Sequence, residues 1–171
     1  MNNRSYPFLF VRFIVLVAAQ VLLVDHFSFG GYINPSLYIL FILLLPFEVS
    51  GAVLLIAAFL LGLSVDLFSN STGLHAASSV FMAFMRPSII KAVGAPAEYE
   101  EHLTPGVKDM GMRWFIVYSS FLIMLHQLAI SVLESFSFAE AGQIFLRMIL
   151  SSIFKLLIIV LVEYLFMSRK K

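Results

Sequence analysis

Long apolar runs separated by short polar punctuation set the plan of this chain. The runs lie at about 8–24, 35–47, 51–68, 74–93, 113–133 and 142–167. They are too continuous for the in-and-out alternation of a barrel strand, and most approach the roughly 20 residues a helix needs to cross about 30 Å of hydrocarbon. Six membrane-crossing helices are therefore predicted. The polar, glycine-containing stretch 25–34 ends the first. Asn34 as N-cap and Pro35 at the first helical position open the second, which is short for a crossing. Asn70, Ser71, Thr72 and Gly73 form a tight turn that makes spans three and four a helical hairpin. Residues 94–112 hold Pro96, Glu98, Glu100, Glu101, Pro105, Gly106, Lys108 and Asp109 and belong outside the hydrocarbon; 134–141, with Glu134 and Glu140, is a second polar turn. Residues 1–171 thus read as a single transmembrane domain, an all-α integral membrane protein built as a six-transmembrane-helix bundle. Arg4 and Arg12 before an apolar stretch imitate a secretory signal, but no small-residue cleavage site follows near 25–29, so the stretch is read as a retained first span.

Composition agrees: 61% of residues are hydrophobic and 12% charged, where soluble domains carry roughly a quarter charged residues. With no cysteine, disulfides, thiolate catalysis and Cys-ligated metals are excluded. A net charge of +1 excludes nucleic-acid binding driven by a basic surface. The positions of the charges say more than their sum. With both termini cytoplasmic, Arg4, Arg12, Arg86, Lys91, Lys108, Arg113, Arg169, Lys170 and Lys171 lie at cytoplasmic ends, nine of eleven basic residues. That bias is the positive-inside pattern of a cytoplasmic (inner) membrane protein. Phe8, Tyr32, Trp114 and Tyr164 at span ends suit an interfacial aromatic belt.

The most specific stretch is Gly62-Leu63-Ser64-Val65-Asp66-Leu67-Phe68-Ser69, followed by Asn70-Ser71-Thr72-Gly73-Leu74-His75-Ala76. It sets an acidic group at the outer end of one span and a histidine in the first turn of the next. Ser71 or Thr72 is a candidate cap for span four, Ala58 and Gly62 form a small-xxx-small pair, and Asp66 needs a polar partner. The plainer interpretation is a well-made hairpin whose Asp66 reaches headgroups or water.

This combination resembles the signature of the rod shape-determining MreD family, and the likeness extends over the whole chain in size, span count and short cytoplasmic loop. Leu45-Pro46-Phe47-Glu48 and Phe84-Met85-Arg86-Pro87 are similar to the variant of Bacteroidetes-type bacteria. The resemblance implies a non-catalytic subunit of the cell-elongation and peptidoglycan-synthesis machinery. Its implied partners are an MreC-like membrane protein and, indirectly, MreB filaments and peptidoglycan synthases. It also implies a bundle resembling the substrate-binding components of energy-coupling-factor transporters.

A charge within the bilayer costs about 2.5–3.5 kcal/mol at a helix centre, so each is a functional candidate. Lys155, near the middle of span six, either faces the interior near His126 or lines a partner contact; the alternative is snorkelling. Arg147 lies at roughly the depth of Asp66, which makes an internal ion pair or two separate interfacial side chains. Glu48 and Arg86 are a second candidate pair, with structural stabilisation favoured. None of these suggests catalysis. His26, His75, His102 and His126 lack metal-ligand spacing, and no phosphate loop, nucleophile elbow or H-E-x-x-H is present, so no enzyme activity and no cofactor are expected. Glu100-Glu101 lie in a polar loop and read as solvated charge.

Two functions compete. One is a membrane scaffold whose contact face includes the hairpin residues Ala58, Gly62, Ala76 and Ser79, which serve equally well for packing within the bundle. The other is a small-solute-binding transporter subunit; the short, apolar outer loops favour the scaffold.

Overall fold

A computed structural model describes residues 5–24, 36–94, 103–134 and 141–168, and among them all regular structure is helical. Helix α1 spans Ser5–Ala19 and runs on as a π-helical turn, Gln20–Val24. A 3-10 turn at Leu37–Ile39 passes directly into the one-turn helix α2, Leu40–Leu43. The long helices α3, Gly51–Ser69, and α4, Leu74–Val93, follow; after the short α5, Val107–Met110, come α6, Met112–Glu134, and α7, Ala141–Ser168. Four stretches are long and apolar enough to cross a membrane: Gly51–Ser69, Leu74–Val93, Met112–Glu134 and Phe145–Leu165. The coarse expectation, an all-helical membrane protein, therefore stands.

Helix α3 packs on α4, α4 on α6 and α6 on α7, while α1 and the segment 36–47 fill the groove of this row. The burial pattern is turned inside out relative to a soluble bundle. Arg86, Lys155 and His126 are almost wholly buried, whereas Leu67, Phe68, Val132 and Leu157 are more than 60% exposed. Lipid makes this the stable arrangement, because apolar side chains face a solvent as apolar as themselves while polar ones find partners only inside.

The second predicted span differs most from the sequence reading. Regular structure in it is confined to Leu37–Leu43, which covers roughly 12 Å at 2.0 and 1.5 Å per residue, too little to cross alone as a helix. Its contacts nevertheless run through the bundle. Tyr38 meets His126, Leu43 O meets Tyr118, and Phe47 packs edge-on against Trp114. Those partners lie about 18 Å apart along α6. Tyr38 through Leu45 are buried, so this partly irregular backbone sits among protein groups, the setting in which such backbone is tolerated at membrane depth.

Spans three and four meet their expected ends. Asn70 takes a left-handed conformation (φ 52°) that closes α3, and Gly73 (φ 80°) starts α4. The polar stretch before α6 is partly built: α5 is strapped to the C-terminal part of α7 by a bond from Val107 N to Glu163 Oε1 (3.3 Å). Thr104 donates to Asp109 Oδ2 through its N–H (3.0 Å) and its hydroxyl (2.7 Å). The proposed cap Asn34-Pro35, residues His26, Tyr32, Pro96, Glu98, Glu100, Glu101, His102 and Glu140, and the basic ends Arg4 and 169–171 lie outside the described residues.

Candidate functional site: an interlocked hairpin above a polar core

The signature residues converge at the closed end of the α3–α4 hairpin. Gly62 permits it. A Cβ there would lie 2.4 Å from His75 O and 2.5 Å from Ala76 Cα, distances no folded backbone accommodates. The two helices therefore touch backbone to backbone, and Ala58, one turn before Gly62 on α3, is also small and fully buried. One turn after Gly62, Asp66 then reaches the open end of α4. Its Oδ1 accepts His75 N–H (3.0 Å) and its Oδ2 accepts Ala76 N–H (2.9 Å).

These are the second and third N–H groups of α4, the donors that an N-cap side chain ordinarily takes. The cap residue itself is Gly73, which has no side chain to offer, so α3 supplies the acceptor in its place. A carboxylate at this position also opposes the positive end of the α4 dipole. Ser71 donates its hydroxyl to Asp66 Oδ1 (2.5 Å); His75 Nδ1 lies 2.9 Å from that oxygen and 3.0 Å from Ser71 Oγ. The His75 tautomer protonated on Nδ1 satisfies this arrangement.

Two sequence expectations change here. Thr72 and Ser71 do not cap α4 as N-cap residues; Ser71 instead bonds the carboxylate that does. The Asp66–Arg147 pair gives way to the hairpin, since every described bond to the Asp66 carboxylate comes from Ser71, His75 or Ala76, and Arg147 stands at an exposed position on α7. The contact face built on Ala58, Gly62, Ala76 and Ser79 is corrected as well. All four are buried between helices, because side chains small enough for close packing are spent on it inside the protein.

Beneath the hairpin lies a polar core. The Tyr38 ring packs edge-on against both His75 and His126, and Tyr38 Oη lies 2.8 Å from His126 Nε2. His126 is fully buried and its Nδ1 has no hydrogen-bond partner among the described residues. Lys155 faces inward as one sequence reading had it; its ammonium donates to Gln127 Oε1 (2.5 Å), the neighbour of His126.

A second buried cation serves the backbone. Arg86 Nε donates to Tyr118 Oη (2.9 Å) and a terminal nitrogen of its guanidinium donates to Leu45 O, while Tyr118 donates to Leu43 O (3.0 Å). At the other end of the same segment, Leu37 N–H donates to Gln20 Oε1 (2.8 Å). Gln20, Tyr118 and Arg86 thus take up backbone groups that the short 3-10 turn and α2 leave open. The Glu48–Arg86 pair expected from the sequence is replaced, since the described bonds of the Arg86 side chain go to Tyr118 and Leu45, while Glu48 sits at an exposed position three residues beyond Leu45.

Sequence reading weighted formal charge and so passed over the neutral Gln20, Tyr38, Tyr118 and Gln127; Glu163, which is charged, was passed over as well. A signal was available: Tyr118 and Gln127 are neutral polar side chains inside an otherwise apolar span and occupy the face that also carries Ser119 and His126. Among the described residues, no group of three or more His, Asp or Glu is placed to hold a metal ion. No family model, curated protein or solved structure matches this chain.

Proposed function

We propose that this protein is a non-catalytic scaffold subunit of the bacterial cell-elongation machinery, similar to MreD, which binds an MreC-like membrane protein and through it MreB filaments and peptidoglycan synthases. The observation that carries the reading is the hairpin. The residues that motivate the family resemblance, Gly62, Asp66, Gly73, His75 and Ala76, are engaged with one another in close packing and helix capping. A motif used this way builds a rigid element, which is what a scaffold requires. The contact surface is then the exposed apolar side of the long helices, with Leu60 and Leu67 on α3 and Leu157 on α7 among its members.

Six crossings in the inner membrane with both termini cytoplasmic is the accompanying topology. It is supported by the one-sided Lys and Arg distribution, the apolar first helix Pro7–Leu22, and the passage of 36–47 between the depths of His126 and Trp114.

A second reading, a small-solute-binding transporter subunit, draws on the core formed by Tyr38, His126, Gln127 and Lys155, which places polar groups deep in the bundle. One experiment separates the two. A photo-crosslinking amino acid at Leu67 or Leu157 in living cells should capture an MreC-like protein, and depletion of the subunit should round the cells. Loss of uptake of a nutrient with unchanged cell shape, together with tight solute binding by the purified protein, would replace the scaffold with the transporter.

A further inference from the structure

At the end of the bundle opposite the hairpin, the last turn of α4 and the first turns of α6 enclose a groove of about 460 Å³. Ala92, Val93, Val117 and Phe121 form its apolar walls, and Arg113 and Trp114 complete it. We propose that this groove is a binding site for one anionic phospholipid of the leaflet at that end, with the phosphate at Arg113 and an acyl chain along Val117 and Phe121.

Three features of the groove select this occupant. The first is depth. Arg113 and Trp114 directly follow the polar stretch that ends at Met112, so they stand where α6 enters hydrocarbon, the level of phospholipid headgroups. Val117 and Phe121 lie one and two turns deeper and are about half exposed, the level of the acyl chains.

The second is order. The indole of Trp114 is fixed before any lipid arrives. Its Nε1–H donates to Gly94 O (2.9 Å), and its ring stacks on Tyr118 at a centroid distance of 4.7 Å and an interplanar angle of 19°. One wall is therefore rigid, so a lipid meets a groove whose shape is already set. The bond to Gly94 O also takes up a carbonyl at the C-terminal end of α4, where a bare carbonyl would repel a phosphate.

The third is charge. Arg113 is exposed at the groove, and Lys91 is exposed on the last turn of α4, one residue before the wall residue Ala92. Among the described residues, no Asp or Glu lines the groove. A planar guanidinium that bonds phosphate oxygens in pairs is well suited to a phosphodiester. A headgroup carrying its own cation would place that cation against Arg113, and so an anionic lipid is preferred to a zwitterionic one.

The test uses the full chain in mild detergent with an equimolar mixture of phosphatidylglycerol and phosphatidylcholine of the same chain length, read by intact-protein mass spectrometry. One phosphatidylglycerol should be retained with a preference of about fivefold per basic contact. Arg113→Gln should abolish most of that preference, Arg113→Lys should keep part of it, and Lys108→Gln, on α5 and not part of the groove lining, should leave it intact. Filling the groove with Ala92→Leu should lower retention of both lipids, with the thermal midpoint reported alongside to establish that the variant is folded. Equal retention of the two lipids by the unaltered protein would overturn the proposal. So would a preference that survives Arg113→Gln, or loss of bound lipid to millimolar inorganic phosphate, which would mark a simple anion site.

Discussion

Gly62 and Ala76 are in backbone contact: a Cβ on Gly62 would stand 2.5 Å from Ala76 Cα. The obstruction is main chain on both sides, so no side chain can turn aside to relieve it. Gly62→Ala is expected to push α3 and α4 apart and lower stability by about 1–3 kcal/mol, the range for overpacking. Gly51→Ala is the control, since nothing lies within 4 Å of a Cβ there. Thermal midpoints in detergent should fall for the first variant and stay or rise slightly for the second.

The same close approach is what brings Asp66 to the end of α4, and so Asp66 should be coupled to its hairpin and to nothing on α7. Asp66→Ala orphans the N–H groups of His75 and Ala76, at about 1–3 kcal/mol for each buried donor left unbonded. In a double-mutant cycle, Asp66→Asn with Arg147→Gln should give additive losses, whereas Asp66→Asn with Ser71→Ala should not. Strong coupling between Asp66 and Arg147 would show that the carboxylate has a partner outside the hairpin.

How much of this was legible beforehand depended on which physical signal each element carries. The α3–α4 hairpin was readable to within a residue or so, because continuous apolar runs and the Asn70 to Gly73 punctuation are local properties of the chain. That Asp66 would cap α4 was not, because the acceptor comes from the preceding helix and local capping rules look for it in Ser71 or Thr72. The second span was misjudged in form for a related reason. A buried segment and a short crossing helix have the same apolar composition, and only Gln20, Tyr118 and Arg86, far away in sequence, reveal that its backbone needed outside partners. The small residues Ala58, Ala76 and Ser79 have a periodicity that says they pack closely, but not against what.

If Arg86 and Tyr118 are there to bond the carbonyls of the segment, removing either should loosen that segment before anything else. Tyr118→Phe deletes the bond to Leu43 O and the acceptor of Arg86 Nε while keeping the ring that stacks on Trp114, and should cost about 1–3 kcal/mol for each group left unbonded. Arg86→Met, which removes the donors to both Leu45 O and Tyr118 Oη, should have a comparable effect. Amide hydrogen exchange should accelerate across 40–47 in both variants while α3 and α4 stay protected. Uniform acceleration over the whole bundle would mean that Arg86 supports the fold globally and is not dedicated to this segment.

Lys155 and Gln127 pose the sharpest energetic question, because a nearly fully buried ammonium is bonded here to a neutral amide and gains no ion-pair attraction from it. Desolvating a charge is expensive, and replacing a buried polar arrangement by apolar groups of similar volume is often neutral or stabilising, while removing only one partner is costly. Lys155→Met removes the costly charge but leaves Gln127 Oε1 without its donor, so the two effects oppose and the thermal midpoint is expected to change little. Gln127→Leu alone strips the ammonium of its described acceptor and should cost at least about 1–3 kcal/mol. The double variant should recover most of that loss. Assayed in cells, the same set separates structure from function. On the proposed scaffold function, a Lys155→Met protein that is stable and abundant in the membrane but no longer supports rod shape would show that the buried cation is retained for its action on a partner. One that supports normal shape would show that Lys155 is dispensable to scaffolding, and that the polar core needs another explanation.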